Sequence, residues 1–168
     1  LGDIPLDREA IDDLLRLPQV VSFDATHAEE HSLEVQLPFL QSILHDFSLV
    51  PLVVGDATAT EVSEVLEQLW GGDETLIVIS TDLSHFRDYA TAQKIDAHTC
   101  AAIMALDPAA INHEQACGRT PLSGMLLSAQ KRGMHIETLD LRNSGDTAGS
   151  HDRVVGYGAW ALTESKPS

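Results

Sequence analysis

Residues 75–85 read Thr-Leu-Ile-Val-Ile-Ser-Thr-Asp-Leu-Ser-His, and they decide which fold is expected. The run from Leu76 to Ile79 shows no polar alternation, which is typical of a strand buried on both faces in the middle of a parallel sheet. Polar residues follow this run at once. Because ligands of open α/β sheets bind outside the carboxyl ends of the strands, we expect Asp82 and His85 to face a crevice.

Strand and helix patterns alternate on both sides of this segment, which predicts an α/β fold. We expect a layered α-β-α domain with a mostly parallel central sheet over residues 1–163, followed by a polar tail, 164–168. Thr120 is the expected N-cap of the last helix, with Pro121 at its first position and Gly133 at its end. The predicted helices lie near 11–17, 32–44, 62–69, 89–106 and 121–132, and the other strands near 20–23, 49–55, 136–141 and 154–162.

The composition excludes several classes of partner. The chain has 26 acidic and 10 basic residues among its 168, a formal net charge of -16. Such a surface repels phosphate backbones and anionic lipid headgroups, and no apolar run approaches the roughly 20 residues that span a bilayer. We therefore expect neither nucleic acid nor a membrane as partner. The two cysteines, Cys100 and Cys117, show no pairing pattern, which indicates a reduced, cytoplasmic protein.

Two short motifs contain groups suited to catalysis or metal binding. An imidazole near a carboxylate acts as general acid or base around neutral pH, so Asp82 and His85 are candidate catalytic residues. Alternatively, Asp82 caps a loop and His85 is a surface residue. Cys117 precedes a predicted helix N-terminus, where unpaired amides and the helix dipole favour the thiolate that binds metals. Its alternative is a small buried side chain at a tight turn.

Two further motifs have weaker functional interpretations. The segment His27-Ala28-Glu29-Glu30-His31 matches the H-x-x-E-H pattern of inverted zinc peptidases, which requires both histidines on one helix face. The apolar helical pattern begins only after His31, so these residues are alternatively a loop and a helix start. Residues 143–147 form a turn-like cluster that either directs polar groups into the same crevice or is a plain loop.

Five motifs follow one another over nearly the whole chain: Glu30-His31-Ser32-Leu33-Glu34 with Leu37-Pro38-Phe39, Ser80 to His85, Cys117-Gly118 with Pro121, Asn143-Ser144-Gly145-Asp146, and Val155-Gly156-Tyr157. Their order and spacing resemble the Memo family, in particular its prokaryotic AmmeMemoRadiSam form. The resemblance implies a fold shared with class III extradiol dioxygenases, whose iron is held by two histidines and a carboxylate.

The resemblance also implies roles for single residues. Cys117 matches the family cysteine that stands where the dioxygenases place the carboxylate, so it is the expected metal ligand. His85 matches the acid–base histidine, and Asp82 is its motif neighbour. The two histidine ligands of the family lie upstream of Leu1. We therefore expect this chain to be the C-terminal portion of a longer Memo-like domain, in which the intact protein, but not this stretch alone, retains iron or copper. The candidate substrate-binding residues are His31, Glu30, Arg119, Asn143 and Ser144.

Three functions follow as hypotheses. The first is a metal-dependent oxidoreductase that acts on a phenolic or other small molecule. The second is a non-catalytic module in which the same crevice binds a peptide, including a phosphotyrosine peptide, through Arg119 and neighbouring histidines. The third is a zinc peptidase. If strands of the sheet lie outside this stretch, an exposed sheet edge would favour pairing with another chain or homo-oligomerisation.

Overall fold

The structure is a computed structural model that describes residues 2–147 and 149–164. Leu1 and residues 165–168 of the predicted tail lie outside the described residues. Within them, three 3₁₀ turns, Asp24–His27, Pro108–Ala110 and Ser144–Asp146, accompany the main elements. These elements are α1 (Arg8–Leu14), α2 (Leu37–Ile43), α3 (Ala59–Leu69), β1 (His85–Arg87), α4 (Tyr89–Met104), α5 (Arg119–Arg132), β2 (His135–Asn143) and β3 (Val154–Thr163).

Side-chain caps explain where several helices begin. Asp7 accepts a hydrogen bond from the Ala10 N–H at the start of α1, and Asp88 caps α4 in the same way. Thr58 opens α3 with a reciprocal capping box. Pro38 lies in the first turn of α2, where a backbone N–H has no acceptor within the helix, so its absence in proline costs no hydrogen bond.

The end of α5 was predicted correctly, but its start was not. Gly133 ends the helix in the left-handed conformation with φ 61°. Helix α5 begins at Arg119 with Gly118 as its N-cap, so the assignment of Thr120 as N-cap is wrong. The Leu122 N–H donates to the Gly118 carbonyl, which closes the first turn earlier in the chain. Pro121 lies within that turn, where proline is tolerated.

The mixed α/β class is confirmed, but the sheet is antiparallel instead of mostly parallel. Its strand order is β1-β3-β2, and β3 pairs antiparallel with both neighbours. Among the described residues, the connection between β2 and β3 contains a single 3₁₀ turn, Ser144–Asp146, and the two strands pair antiparallel. The prediction failed here because apolar periodicity indicates burial and does not specify strand direction.

The predicted central strand has no regular secondary structure and joins no sheet among the described residues. Ile77 and Ile79 pack against the core, whereas Leu76 is 63% and Val78 44% exposed. The expectation that both faces are buried is therefore wrong. Neighbouring strands that would cover Leu76 and Val78 are not among the described elements. The predicted strand at 49–55 likewise forms only an isolated parallel bridge, between Leu49 and Leu6.

The core lies where the helices meet the sheet and the 75–80 segment. Helices α4 and α5 pack on β2 through a cluster that includes Ile103, Leu126 and Ile136. Helices α3 and α5 enclose a second cluster against which Ile77 and Ile79 pack. This packing places the end of the 75–80 segment beside the start of α5. In the described part of the chain, no helix has both the length and the apolar content to cross a membrane.

Candidate functional site

Two loops meet at the end of the 75–80 segment through Asp82 and Cys117. The Cys117 N–H donates to the Asp82 carbonyl at 3.3 Å, and the Asp82 N–H donates to Cys117 Sγ at 3.3 Å. The hydroxyl of Thr81 lies 3.6 Å from the same sulfur. Cys117 is exposed, which excludes the alternative of a buried packing cysteine. Cys117 therefore lies at the surface with the Asp82 N–H directed at its sulfur.

Gly118 allows these two loops to approach so closely. Its N–H donates to Thr81 Oγ1 at 2.8 Å. A Cβ atom at position 118 would lie 2.8 Å from both the Ser80 carbonyl oxygen and Thr81 Cβ. Real Cβ contacts are almost never that short, so the position next to Cys117 requires glycine.

His85 is the third member of this site. Its Nε2 lies 3.6 Å from Asp82 Oδ2, an ion-pair contact when the imidazole is protonated and longer than an ordinary hydrogen bond. His85 is half-buried at the start of β1, where it pairs with Val155 of β3. The sheet therefore fixes the backbone of the histidine while its ring remains accessible.

Asp82, His85 and Cys117 together form the candidate metal site. Each offers one ligand atom, and these atoms all lie within 4.8 Å of one another. Sulfur, imidazole nitrogen and carboxylate oxygen are all atoms that bind transition metals in proteins. The sequence analysis placed Asp82 and His85 after a strand and took Cys117 as the metal ligand from the family resemblance, and the described geometry brings the three together.

Asp96 is a functional candidate that the sequence analysis missed. It lies on α4, is 3% exposed, and accepts a hydrogen bond from the Ser84 N–H at 3.0 Å. Burial raises the pKa of Asp96, although the Ser84 N–H and the charge of His85 oppose this shift. Ala92, Thr99 and Ile103 are also buried on α4, and their spacing places Asp96 on the same face. That periodicity was a usable signal for a buried acid.

Gly156 of β3 forms backbone hydrogen bonds with the loop that precedes His85. The Leu83 N–H donates to the Gly156 carbonyl at 2.9 Å, and the Gly156 N–H donates to the Ser84 carbonyl at 2.8 Å. A Cβ at position 156 would lie 2.1 Å from a carboxylate oxygen of Asp96. The carboxylate of Asp96 therefore fills the space that a side chain at position 156 would need.

Glu30 and His31 lie in a loop with local partners. His31 Nδ1 is 2.8 Å from Glu34 Oε1, and hydrogen bonds from Ser32 lower the pKa of Glu30. The 3₁₀ turn ends at His27, so the H-x-x-E-H pattern is not on the helix that a zinc peptidase needs. Among the described residues, no hydrogen bond joins Glu30 or His31 to Asp82, His85 or Cys117.

The remaining predicted binding residues have structural partners of their own. Arg119 Nη2 is 2.9 Å from His113 Nε2. Asn143 is buried, accepts a hydrogen bond from the Gly145 N–H, and lines a cavity of about 250 Å³ together with Asp96. Ser144 Oγ accepts from the Val155 N–H at 3.1 Å. None of the three belongs to the cluster of Asp82, His85 and Cys117.

A mixed α/β fold with cysteine, histidine and aspartate side chains converging beside a helix start defines a candidate metal-binding α/β protein. A family model described as Memo-like protein matches residues 1–161, and the chain belongs to this family. MEMO1 family proteins of Methanobrevibacter smithii, Methanosarcina mazei and Methanopyrus kandleri are similar to it, with 34%, 35% and 35% identity over 94%, 95% and 95% of the chain. The chain spans 60%, 64% and 61% of the length of these relatives.

Proposed function

We propose that this chain supplies the cysteine, histidine and aspartate side of a non-haem iron or copper centre in a Memo-type oxidoreductase. The substrate class we propose is a phenolic or another small molecule. The mutual distance of 4.8 Å or less between the ligand atoms of Asp82, His85 and Cys117 carries this proposal.

The cluster is compatible in size with one metal ion. Bonds of about 2.0–2.4 Å to a shared ion put neighbouring ligand atoms roughly 3–4 Å apart. His85 Nε2 and Asp82 Oδ2 are already 3.6 Å apart. Because all three side chains are partly or fully exposed, rotation of their side chains can bring the other pairs into that range. The exposed side leaves room for further ligands and for a substrate.

The donor set favours copper or iron over harder cations. Thiolate ligands select soft or borderline metals, and imidazole suits copper, iron and zinc, whereas calcium and magnesium prefer oxygen ligands only. The amide N–H of Asp82 donates to the sulfur and would remain compatible with a thiolate ligand. Zinc therefore remains the competing metal to test beside iron and copper.

The residues of this chain would act on the substrate through proton movement and orientation. Iron or copper bound here would polarise a phenolic oxygen and exchange electrons with the substrate. Because His85 Nε2 cannot bind the ion and a proton at the same time, this step requires that Cys117 and ligands from outside this chain hold the ion; the free Nε2 atom would then accept or return the phenolic proton. The carboxylate of Asp82, at 3.6 Å, would stabilise the protonated imidazole.

Metal titration with matched cysteine variants tests the metal-binding part of this function. Ferrous, cupric and zinc ions are titrated into the protein and into Cys117→Ser, with Cys100→Ser as the control because Cys100 contacts Thr138 on β2 instead. We expect Cys117→Ser to weaken iron or copper binding at least tenfold and Cys100→Ser to leave it unchanged. Equal affinities of the protein and Cys117→Ser would contradict the ligand assignment.

Oxygen uptake with catechols tests the oxidoreductase part separately. We expect metal-dependent uptake that His85→Ala abolishes and that His98→Ala, an exposed histidine on α4, leaves intact. Metal binding without any uptake would remove the oxidoreductase proposal and keep the metal site. Peptide binding remains a prediction, and Arg119, its proposed anion contact, is already engaged with His113.

A further inference from the structure

Phe86 has a backbone conformation that residues with a bulky side chain rarely adopt. It lies in the middle of β1 with φ 56°, and 62% of it is exposed. Leu106, the other non-glycine residue of the described chain with positive φ, follows the end of α4, where the left-handed conformation is common. Holding a phenylalanine in this conformation costs free energy, and such residues cluster at functional sites. Packing in the core does not explain the phenylalanine, because its ring faces solvent.

A β-bulge directs the Phe86 ring toward the candidate metal site. His85 pairs with Val155 of β3. The next partner, Val154, pairs with Arg87, so two steps along β1 match one step along β3 and Phe86 is the extra residue. Bulges re-aim side chains and are common next to active sites. The Phe86 ring meets the His85 ring edge-on, with 5.8 Å between the centroids and 65° between the planes.

The guanidinium of Arg153 lies over the same ring. Its Cζ is 4.9 Å from the centroid of Phe86, a cation–π contact. Arg153 directly precedes β3, which pairs with β1, so the sheet holds its backbone beside the site. Stacking on an aromatic ring uses the flat face of a guanidinium and leaves its N–H groups available for a carboxylate.

Positive charge is concentrated around the site of a strongly acidic chain. Arg87 and Arg119, each two positions after the histidine or the cysteine of the site, and Arg153 are three of the ten basic residues. Arg87 is paired with Glu114, and Arg119 with His113. Of these three arginines, Arg153 has no ion pair within residues 2–147 and 149–164. Because the net charge of -16 repels anions at long range, an anionic ligand needs local positive charge of this kind.

We propose that Phe86 and Arg153 form a specificity-determining subsite that selects an aromatic carboxylate as the substrate of the candidate metal centre. The substrate ring packs on the exposed part of Phe86, and its carboxylate binds the N–H groups of Arg153. The phenolic end then lies toward His85, because the Phe86 ring lies between the histidine and the guanidinium. This inference rests on the proposed function for the phenolic end of the substrate.

Two probes that differ in charge and hardly in shape test the subsite by binding alone. Isothermal titration calorimetry compares para-hydroxybenzoate with its neutral analogue para-hydroxybenzamide, once without metal and once with zinc, which has no redox chemistry. We expect the benzoate to bind about tenfold more tightly in both states, because only its carboxylate forms a charge-assisted pair with Arg153. Equal affinities for the two probes, or no binding of either, overturn the inference.

An arginine variant shows whether Arg153 is the source of the preference. Arg153→Ala is expected to bind the benzoate and the benzamide equally. Arg16→Ala is the control, because it removes the same charge from an exposed arginine on another part of the chain and should keep the preference. A preference that survives in Arg153→Ala overturns the assignment.

A glycine variant separates a binding role of Phe86 from a structural one. Phe86→Gly removes the ring and also relieves the positive φ, so we expect weaker binding of both probes with an unchanged or higher urea midpoint. A lower midpoint with unchanged binding assigns Phe86 a structural role and overturns the inference. These results are distinct from the metal titration. A protein that binds iron or copper through Cys117 and both probes equally keeps the metal centre and loses the subsite.

Discussion

The carboxylate of Asp96 accepts a hydrogen bond from the backbone N–H of Ser84 at 3.0 Å, so a buried acid on α4 holds the residue that precedes His85. The same carboxylate occupies the space above Gly156, to which the Leu83–Ser84 backbone is hydrogen-bonded. The position of the candidate site therefore depends on a side chain outside it.

Removing the acceptor at position 96 should destabilise the protein. Asp96→Ala leaves the buried Ser84 N–H without a partner, which costs about 1–3 kcal/mol of unfolding free energy. Asp96→Asn keeps an oxygen at the same place and should cost much less. Urea denaturation of the two variants measures the difference. Equal destabilisation by alanine and asparagine would show that the hydrogen bond is not the reason.

The raised pKa of Asp96 predicts a specific pH dependence. Because burial raises its pKa, the folded protein keeps this proton to higher pH than the unfolded chain, whose carboxyl has a pKa near 3.8. Stability from this group is therefore full below that value and is lost as the pH rises through the folded pKa. The stability of Asp96→Asn relative to the original protein should rise over this window, as measured by urea unfolding between pH 4 and 7. A constant difference would contradict the prediction.

Gly118→Ala should disturb the sulfur without touching a ligand. The added Cβ would lie 2.8 Å from the Ser80 carbonyl oxygen, so the backbone beside Cys117 must shift at a cost of about 1–3 kcal/mol. We expect lower stability and weaker metal binding in titration. Gly55→Ala is the control, because a Cβ there meets nothing within 4 Å. If both variants behave alike, the close approach at Gly118 is unimportant.

Arg132 links the ends of α3, α5 and β3, and lysine should not replace it. Its guanidinium binds Glu67 at 2.7 Å and Glu164 at 3.0 Å and lies 4.1 Å above the Trp70 ring. Lysine cannot make the forked contacts and the stacking together. Arg132→Lys should therefore lower the free energy of unfolding by about 1 kcal/mol, which a lower thermal midpoint would show.

The control for Arg132 and its pH behaviour can be measured together. Arg16→Lys alters only an exposed pair with Asp13 and should have no effect. Arg132 lowers the pKa of Glu67, so the stabilising contact is present above the unfolded pKa and is lost as the pH falls through the folded one. The two arginine variants should therefore differ at pH 7 and converge at acidic pH. A difference that persists at acidic pH would mean that packing on Trp70 dominates.

The sequence predicted the local features that depend on local chemistry. Gly133 as the end of α5 followed from turn preferences, and the placement of Asp82 and His85 followed from polar residues after an apolar run. The association of Cys117 with them was implied by the Memo resemblance, and the described geometry brings the three together. Strand direction did not follow, because a run such as Leu76 to Ile79 encodes burial and leaves its partners unspecified. The role of Asp96 could not be predicted, because it depends on contacts with Ser84 and Gly156 on other elements. Its burial could have been predicted from the helical spacing of the buried residues on α4.

Cys117 and Asp82 are 35 positions apart, and only the folded backbone brings them to the same point. An ion that uses both would bind the native state and ignore the unfolded ensemble, so its free concentration becomes a thermodynamic variable of folding. At a hundredfold excess over the dissociation constant, this linkage adds about 2.7 kcal/mol to the unfolding free energy. A chelator would then lower the free energy of unfolding, and the thermal midpoint of this protein would rise with the free metal concentration.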